Sequence, residues 1–297
     1  PNDSFDFSMV DAFLDQLEPD EEAMITVFTS SRWGAVGGLG KGSPPLDYDE
    51  YYDFIYNLVS HCQGRVKYWQ RDPEPATPGH WNELQYEEYV ATQKKFYQAV
   101  KAADPDAIVT GCGYTGYWSK NGQMAPETAA FLDYYFANAQ NDFDVLDLHL
   151  YYNPYTIPVR VNWFREKMQL FGYEKPIFTD EFGGPHPQQF DGWDEFRYVC
   201  ECVKRGYWDD DVDFEEHLRY INEHKDEFLT PEQLMFFGDC GEELDAKYNR
   251  IHARDIVYRT MLSLASGVKK TWYWNLHSHW PARGPNPLFG KLRLVDL

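Results

Sequence analysis

Two carboxylates sit where chemistry is done in many folds, in short loops directly after apolar, β-rich runs. Glu74 closes Tyr68-Trp69-Gln70-Arg71-Asp72-Pro73-Glu74, and Glu181 lies in Pro176-Ile177-Phe178-Thr179-Asp180-Glu181-Phe182-Gly183-Gly184. A pair of carboxyl groups on opposite sides of one bond can share acid, base and nucleophile roles, and about 5 to 5.5 Å between them suits displacement with retention at a sugar carbon. A single Glu at a loop start is ordinarily a solvated or helix-capping group, so the weight rests on the pair and its spacing. The two lie 107 residues apart. Spread over three strand–helix units, that is about 36 residues each, near the repeat of a (β/α)8 barrel, and it sets the two strands across the barrel mouth from each other.

The elements that must carry these loops follow the same rhythm. Six strands are expected, at Met24–Phe28, Arg65–Gln70, Ala107–Gly111, Phe143–Leu150, Pro176–Thr179 and Val268–Trp274. Helices are expected between them at 49–60, 86–103, 126–138, 159–171 and 253–266, where apolar residues recur with a helical period. In the first of these, Phe54, Ile55, Leu58 and Val59 form the stripe. An opening helix over Ser8–Leu17 uses Met9, Val10, Phe13, Leu14 and Leu17. The chain reads as one α/β domain over 1–297 of the (β/α)8 TIM-barrel class, with residues 183–247 inserted after the fifth visible strand and holding helical pieces at 195–204, 214–224 and 231–236.

Composition narrows the partners. With 27 Lys and Arg against 48 Asp and Glu, the net charge is −21, which disfavours nucleic acid and anionic membrane surfaces. With 43% hydrophobic and 18% aromatic residues the chain can bury a large core, while its apolar runs are too short to span a membrane. The five cysteines show no zinc spacing and read as thiols or a disulfide, so neither metal nor cofactor is expected. The glycine-rich stretch 34–42 lacks Walker spacing and reads as a loop beside a cleft. Aromatic residues crowd the strand ends, namely Trp33, Tyr114, Tyr117, Trp118, Tyr151, Tyr152, Tyr155, Trp272 and Trp280, and aromatic faces suit sugar rings. Carbohydrate is the expected partner. No signal peptide pattern opens the chain at Pro1-Asn2-Asp3-Ser4, and a secreted or extracellular protein is expected.

Several segments carry a family resemblance. Tyr68-Trp69-Gln70, the Pro73-Glu74 step and Ala103-Asp104-Pro105-Asp106-Ala107-Ile108-Val109 resemble the fourth and fifth strand region of the clan A glycoside hydrolases. Residues 143–151 resemble that clan's sixth strand, 175–184 its seventh and 267–274 its eighth. The resemblance implies a retaining glycosidase acting on β-linked polysaccharide or oligosaccharide, with Glu74 as acid/base and Glu181 as nucleophile. It further implies that His149 and Tyr151 orient the nucleophile and that Trp274 forms the floor beneath the reacting sugar. As core residues, His149 and Trp274 have ordinary alternatives.

Two departures bear on that expectation. The clan's usual Asn before the acid/base is Pro73 here, which has no side-chain donor for the sugar 2-hydroxyl, leaving Arg71, His80 and Trp81 as candidate substitutes. Counterparts of the clan's first two strands, where its supporting arginine lies, and of its last helix are also missing, so the barrel is expected to close only with flanking segments or a neighbouring chain. A carbohydrate-binding pseudoenzyme on the same barrel is the alternative function. An oxidoreductase is a weaker third reading, since no phosphate-binding or metal motif is visible.

Overall fold

Five short apolar runs form one parallel sheet in the computed structural model of the chain, which describes residues 4–29, 31, 33–36, 42–75, 80–81, 86–115, 124, 126–190, 219, 223–227, 229–237 and 240–274. Strands β1 (Ala23–Val27), β2 (Val66–Arg71), β3 (Ile108–Tyr114), β4 (Val145–Leu148) and β5 (Ile177–Phe178) pair in the order β1-β2-β3-β4-β5. Every pairing is parallel. A sheet that adds each strand beside the last, with no reversal of direction along its edge, follows barrel order; a doubly wound sheet would show a switch point. The fold class is therefore α/β of the (β/α)8 type.

Each crossover is a helix, because a parallel neighbour can be reached only by such a return. Helices α1 (Ser8–Leu14), α2 (Tyr48–His61), α3 (Tyr86–Ala103), α4 (Pro126–Asn138) and α5 (Ile157–Leu170) precede β1 to β5 or connect them. Beyond β5 lie a short α6 (Pro231–Leu234) and the long α7 (Glu242–Ala265). Asp47 starts α2 by accepting from the backbone N–H groups of Asp49 and Glu50 at 2.8 and 3.1 Å. The inner stripe of α2 is Tyr51, Ile55, Leu58 and Val59, and it packs with Phe96 and Val100 of α3 and Trp69 of β2. Tyr51 thus takes the place expected for Phe54, which is 36% exposed.

The described residues form two compact units: the first runs through Pro1–Ser119, Gln123–Leu148 and Asn162–Phe178, the second through His149–Val161 and Thr179–Leu297. The five-stranded sheet belongs to the first.

Other boundaries differ from expectation for local reasons. Helix α1 stops at Leu14, and Met9 and Phe13 on its expected stripe are exposed, because only Leu14, with Val10 and Leu17 partly buried, reaches the core. Residues 268–274, expected as a strand, give one parallel bridge between Thr179 and Thr271. Their backbone bonds run to Thr179 and Phe182, where Thr179 donates to the Lys270 carbonyl at 3.0 Å and accepts from Trp272 at 2.8 Å, and Trp274 donates to Phe182 at 2.9 Å. Helix α7 begins 11 residues before its expected start at 253, inside the expected insertion. Residues 37–41, 195–204, most of 214–224, and Tyr117, Trp118 and Trp280 lie outside the described residues.

At Gly111 β3 runs close to its neighbours, and a Cβ there would stand 2.6 Å from the Tyr135 hydroxyl and 2.7 Å from the Phe143 ring. Gly111→Ala should therefore destabilise the fold by about 1 to 3 kcal/mol through overpacking, measured as a lower midpoint of chemical denaturation.

Candidate functional site

In the first unit, Glu74 is held by the backbone around it. Its φ is +57°, that of Asp72 is +30°, and Pro73 stands between them. Such angles are rare for residues with a side chain and persist only where neighbours determine them. Here the neighbours are explicit. Near its end β3 carries a register shift with Cys112 at φ +74° and Gly113 at +41°. That bulge lets the Gly113 carbonyl accept the Glu74 N–H at 2.7 Å. The Thr115 hydroxyl donates to Glu74 Oε1, and His80 Nδ1 lies 3.7 Å from Glu74 Oε2. His80 is brought close by Gly42, at φ +65°, where a Cβ would fall 1.9 Å from the His80 carbonyl oxygen.

Beneath that turn lies a buried ion pair. Asp72 accepts from the Thr29 N–H at 2.7 Å, from the Thr29 hydroxyl at 2.6 Å, and from Arg71 Nε and Nη2 at 3.1 and 2.9 Å. Arg71 also donates to the Tyr89 carbonyl at 2.9 Å, while the Tyr89 hydroxyl returns a bond to the Asp72 carbonyl at 3.0 Å. Burial works against the charged guanidinium, but the adjoining Asp72 carboxylate, together with Tyr89 and Tyr51, holds the Arg71 pKa above its ordinary value. Trp81, expected as a sugar contact, is buried with its ring 4.9 Å from the guanidinium. Arg71 and Trp81 thus stand as supports of the Glu74 turn, which leaves His80, beside Glu74, as the expected substitute donor nearest to it.

In the second unit, Glu181 gathers the other expected residues. The Tyr151 hydroxyl donates to its Oε1 at 2.5 Å, and His149 Nδ1 lies 3.4 Å from its Oε2. His149 is fully buried, with Nε2 3.1 Å from Asp180 Oδ1, so it is at once a core histidine and a partner of Glu181. The side chain of Glu181 keeps 26% of its surface exposed, so the carboxylate is oriented yet accessible. Its carbonyl accepts the Leu150 N–H at 3.1 Å, which joins the two segments. Trp274 is partly exposed, and its N–H donates to the Phe182 carbonyl at 2.9 Å. Tyr151, expected among exposed aromatics, is buried with its hydroxyl on Glu181, and in the first unit Tyr114 is buried as well.

Four residues of this unit escaped sequence reasoning. Arg160 donates to the carbonyls of His149 and Tyr151, Arg259 donates to those of Leu150 and Tyr152, and Asp255 pairs with Arg259 at 2.6 Å. His252 meets the Tyr273 hydroxyl at 2.5 Å and packs under Gly184, where a Cβ would stand 2.2 Å from the imidazole. Burial, with Arg259 nearby, pushes the His252 pKa down to about 4. The only signal was spacing: His252, Asp255, Arg259 and Ser263 share one helical face, a pattern ordinarily taken for a solvated side.

Comparison with known proteins agrees with this fold. A model of glycoside hydrolase family 44 matches residues 43–154, just over a third of the chain, a stretch that includes Glu74, His149 and Tyr151 and stops before Glu181. A monomeric β-xylosidase from Caulobacter crescentus CB15 is similar over 98% of this chain and 53% of its own, with TM-score 0.55 and 16% identity. The family 39 enzyme from Xanthomonas axonopodis pv. citri is similar over 98% and 52%, with TM-score 0.54 and 17% identity. The chain has the fold of the clan A glycoside hydrolases. It spans about half the length of these structures. No curated protein sequence matches it. Among the described residues no helix is long and apolar enough to cross a membrane.

Asp72→Ala would leave the Arg71 guanidinium buried without its carboxylate and should cost about 3 to 5 kcal/mol in denaturant unfolding. A second expectation concerns acid. His252 has a folded pKa of about 4 and an ordinary value of 6.5, so the unfolded chain takes up this proton first as pH falls. Its contribution is complete above pH 6.5 and is lost progressively toward pH 4. Between pH 7 and pH 5 the wild type should lose more unfolding free energy than His252→Gln, measured by urea titration at each pH.

Proposed function

We propose that the chain is the catalytic part of a retaining glycoside hydrolase acting on β-linked polysaccharide or oligosaccharide, with Glu181 as nucleophile and Glu74 as acid/base. The observation that carries this reading is the Glu181 carboxylate itself, which is accessible yet receives a short hydrogen bond from Tyr151 and has His149 on its other oxygen. A hydrogen bond to the charged form favours that form, as a nucleophile needs.

In the first step Glu74, protonated, gives its proton to the glycosidic oxygen while Glu181 attacks the anomeric carbon. The bond to the leaving group breaks and a glycosyl ester on Glu181 forms. In the second step Glu74, now ionised, takes a proton from water as that water attacks the same carbon and frees Glu181. The pKa of Glu74 must then lie above that of Glu181. Trp274 serves as a platform for the sugar face, and His80, 3.7 Å from Glu74, stands in for the amide that Pro73 lacks. The same lack of a donor at Pro73 favours the second reading, a protein that binds carbohydrate with little turnover.

The test uses aryl β-glycosides, β-xylosides among them, with good and poor leaving groups. Glu181→Ala should abolish turnover, and azide should restore it on activated substrates with inverted product. Glu74→Ala should slow poor leaving groups by about 10²- to 10⁴-fold while sparing good ones. Equal losses on both substrate types, or inverted product from the wild type, would overturn the roles. Binding of oligosaccharide with no release of aglycone would decide for the second reading.

A further inference from the structure

Two guanidinium groups hold the carbonyls of the segment that carries His149 and Tyr151. Arg160 of α5 donates from Nη1 to the Tyr151 carbonyl at 2.5 Å and from Nη2 to that of His149 at 2.9 Å. Arg259 of α7 donates from Nη1 to the Leu150 carbonyl at 2.8 Å and from Nη2 to that of Tyr152. Four consecutive carbonyls are thus taken alternately, as successive carbonyls of an extended chain project to opposite sides. The third nitrogen of Arg259, Nε, is fixed by Asp255 Oδ2 at 2.6 Å. Arg160, Arg259, Asp255 and residues 149–151 are buried, and all these groups lie within the second unit.

We infer that Arg259, oriented by Asp255, is a positioning residue for the nucleophile: with Arg160 it clamps residues 149–152 so that the Tyr151 hydroxyl meets the Glu181 carboxylate. This rests on the role of Glu181 proposed above. A planar fork that engages three acceptors at once fixes distance and angle together, which a flexible ammonium cannot do. Stability alone is a poor reason for such a pair, because a buried Arg–Asp pair often contributes no more than apolar packing of the same volume. What the clamp supplies is geometry, and the groups whose geometry it sets are the ones facing Glu181: Tyr151 directly, and His149 with Asp180 behind it.

The experiment combines Arg259→Lys, Tyr151→Phe and the double variant, and reads two quantities. The first is kcat and KM on an activated aryl glycoside. The second is the ionisation of the Glu181 carboxyl, followed by 13C NMR of glutamate-labelled protein with Glu181→Gln assigning the signal. Arg259→Lys should lower kcat by about 10²-fold with KM little changed, and should raise the Glu181 pKa as Tyr151→Phe does. The double variant should match the worse single within about twofold, because both act through one contact. Asp255→Asn separates positioning from through-space charge: removing a negative charge would by itself lower the Glu181 pKa, whereas a loosened clamp raises it. Independent, multiplying losses, or a Glu181 pKa that stays put while the melting temperature falls, would overturn the inference and leave Arg259 as a packing residue. Should the wild type hydrolyse nothing, the functional reading fails, and the NMR titration still decides whether the clamp sets Tyr151 on Glu181.

Discussion

Where a parallel strand ends, its backbone loses the ladder that satisfied it, and inside a protein each freed carbonyl must find another donor. In this chain Arg160 and Arg259 are such donors: both are buried, and each gives N–H groups to backbone carbonyls just past the end of β4, while the buried Arg71, at the end of β2, donates to the Tyr89 carbonyl in the first turn of α3. Unsatisfied carbonyls in these places would each cost on the order of 1 to 3 kcal/mol, and an unpaired guanidinium more. Arg71 and Arg259 each have a carboxylate, Asp72 and Asp255, so the charge and the carbonyls are satisfied by one group. The candidate acid/base and the residues that hold the candidate nucleophile both hang on this arrangement.

The same constraint accounts for the strained backbone. Of the positive-φ residues that are not glycine, Asp72 and Glu74 flank Pro73, Cys112 forms the β3 bulge, and Tyr152 ends the segment gripped by Arg259. Each is held by the partners just described. Proline at 73 fits this backbone, since it has no N–H to satisfy and fixes its own φ, and the residue before it is steered away from helical angles. A rigid turn is thereby obtained at the position where the related glycosidases are expected to carry a sugar-binding amide. Turn geometry and a side-chain donor compete for one residue, and here the turn wins.

Strands and amphipathic helices were legible because burial leaves a period in the sequence. Residues 86–103 and 126–138 were read to the residue, and the parallel order of the sheet followed from the alternation of runs. Glu181 with His149 and Tyr151 was legible through family resemblance and through the two-residue spacing that sets 149 and 151 on one side. The rest was hidden because it inverts the usual pattern. A Trp in a polar loop reads as a binding platform, whereas Trp81 is spent on covering Arg71. Charged residues on a helix read as its wet face, whereas Arg160, Asp255 and Arg259 point inward.

Helix α7 shows this inversion most fully. Its buried residues are Tyr248, His252, Asp255, Arg259 and Ser263, while Val257, Met261 and Leu264 are exposed. A helix chosen for core burial alone would present the opposite face, since the three exposed side chains each forgo part of the about 1.5 to 3 kcal/mol that full burial supplies. The polar face is retained where the carbonyls of 150 and 152 need donors and where Tyr273 needs a partner for its hydroxyl. One helix therefore serves two loops: Arg259 fixes the segment that carries Tyr151, and His252, fitted under Gly184, fixes the turn that follows Glu181. The candidate nucleophile is held from both sides by residues of a single helical stripe, so a change in the seating of α7 would be felt first at Glu181.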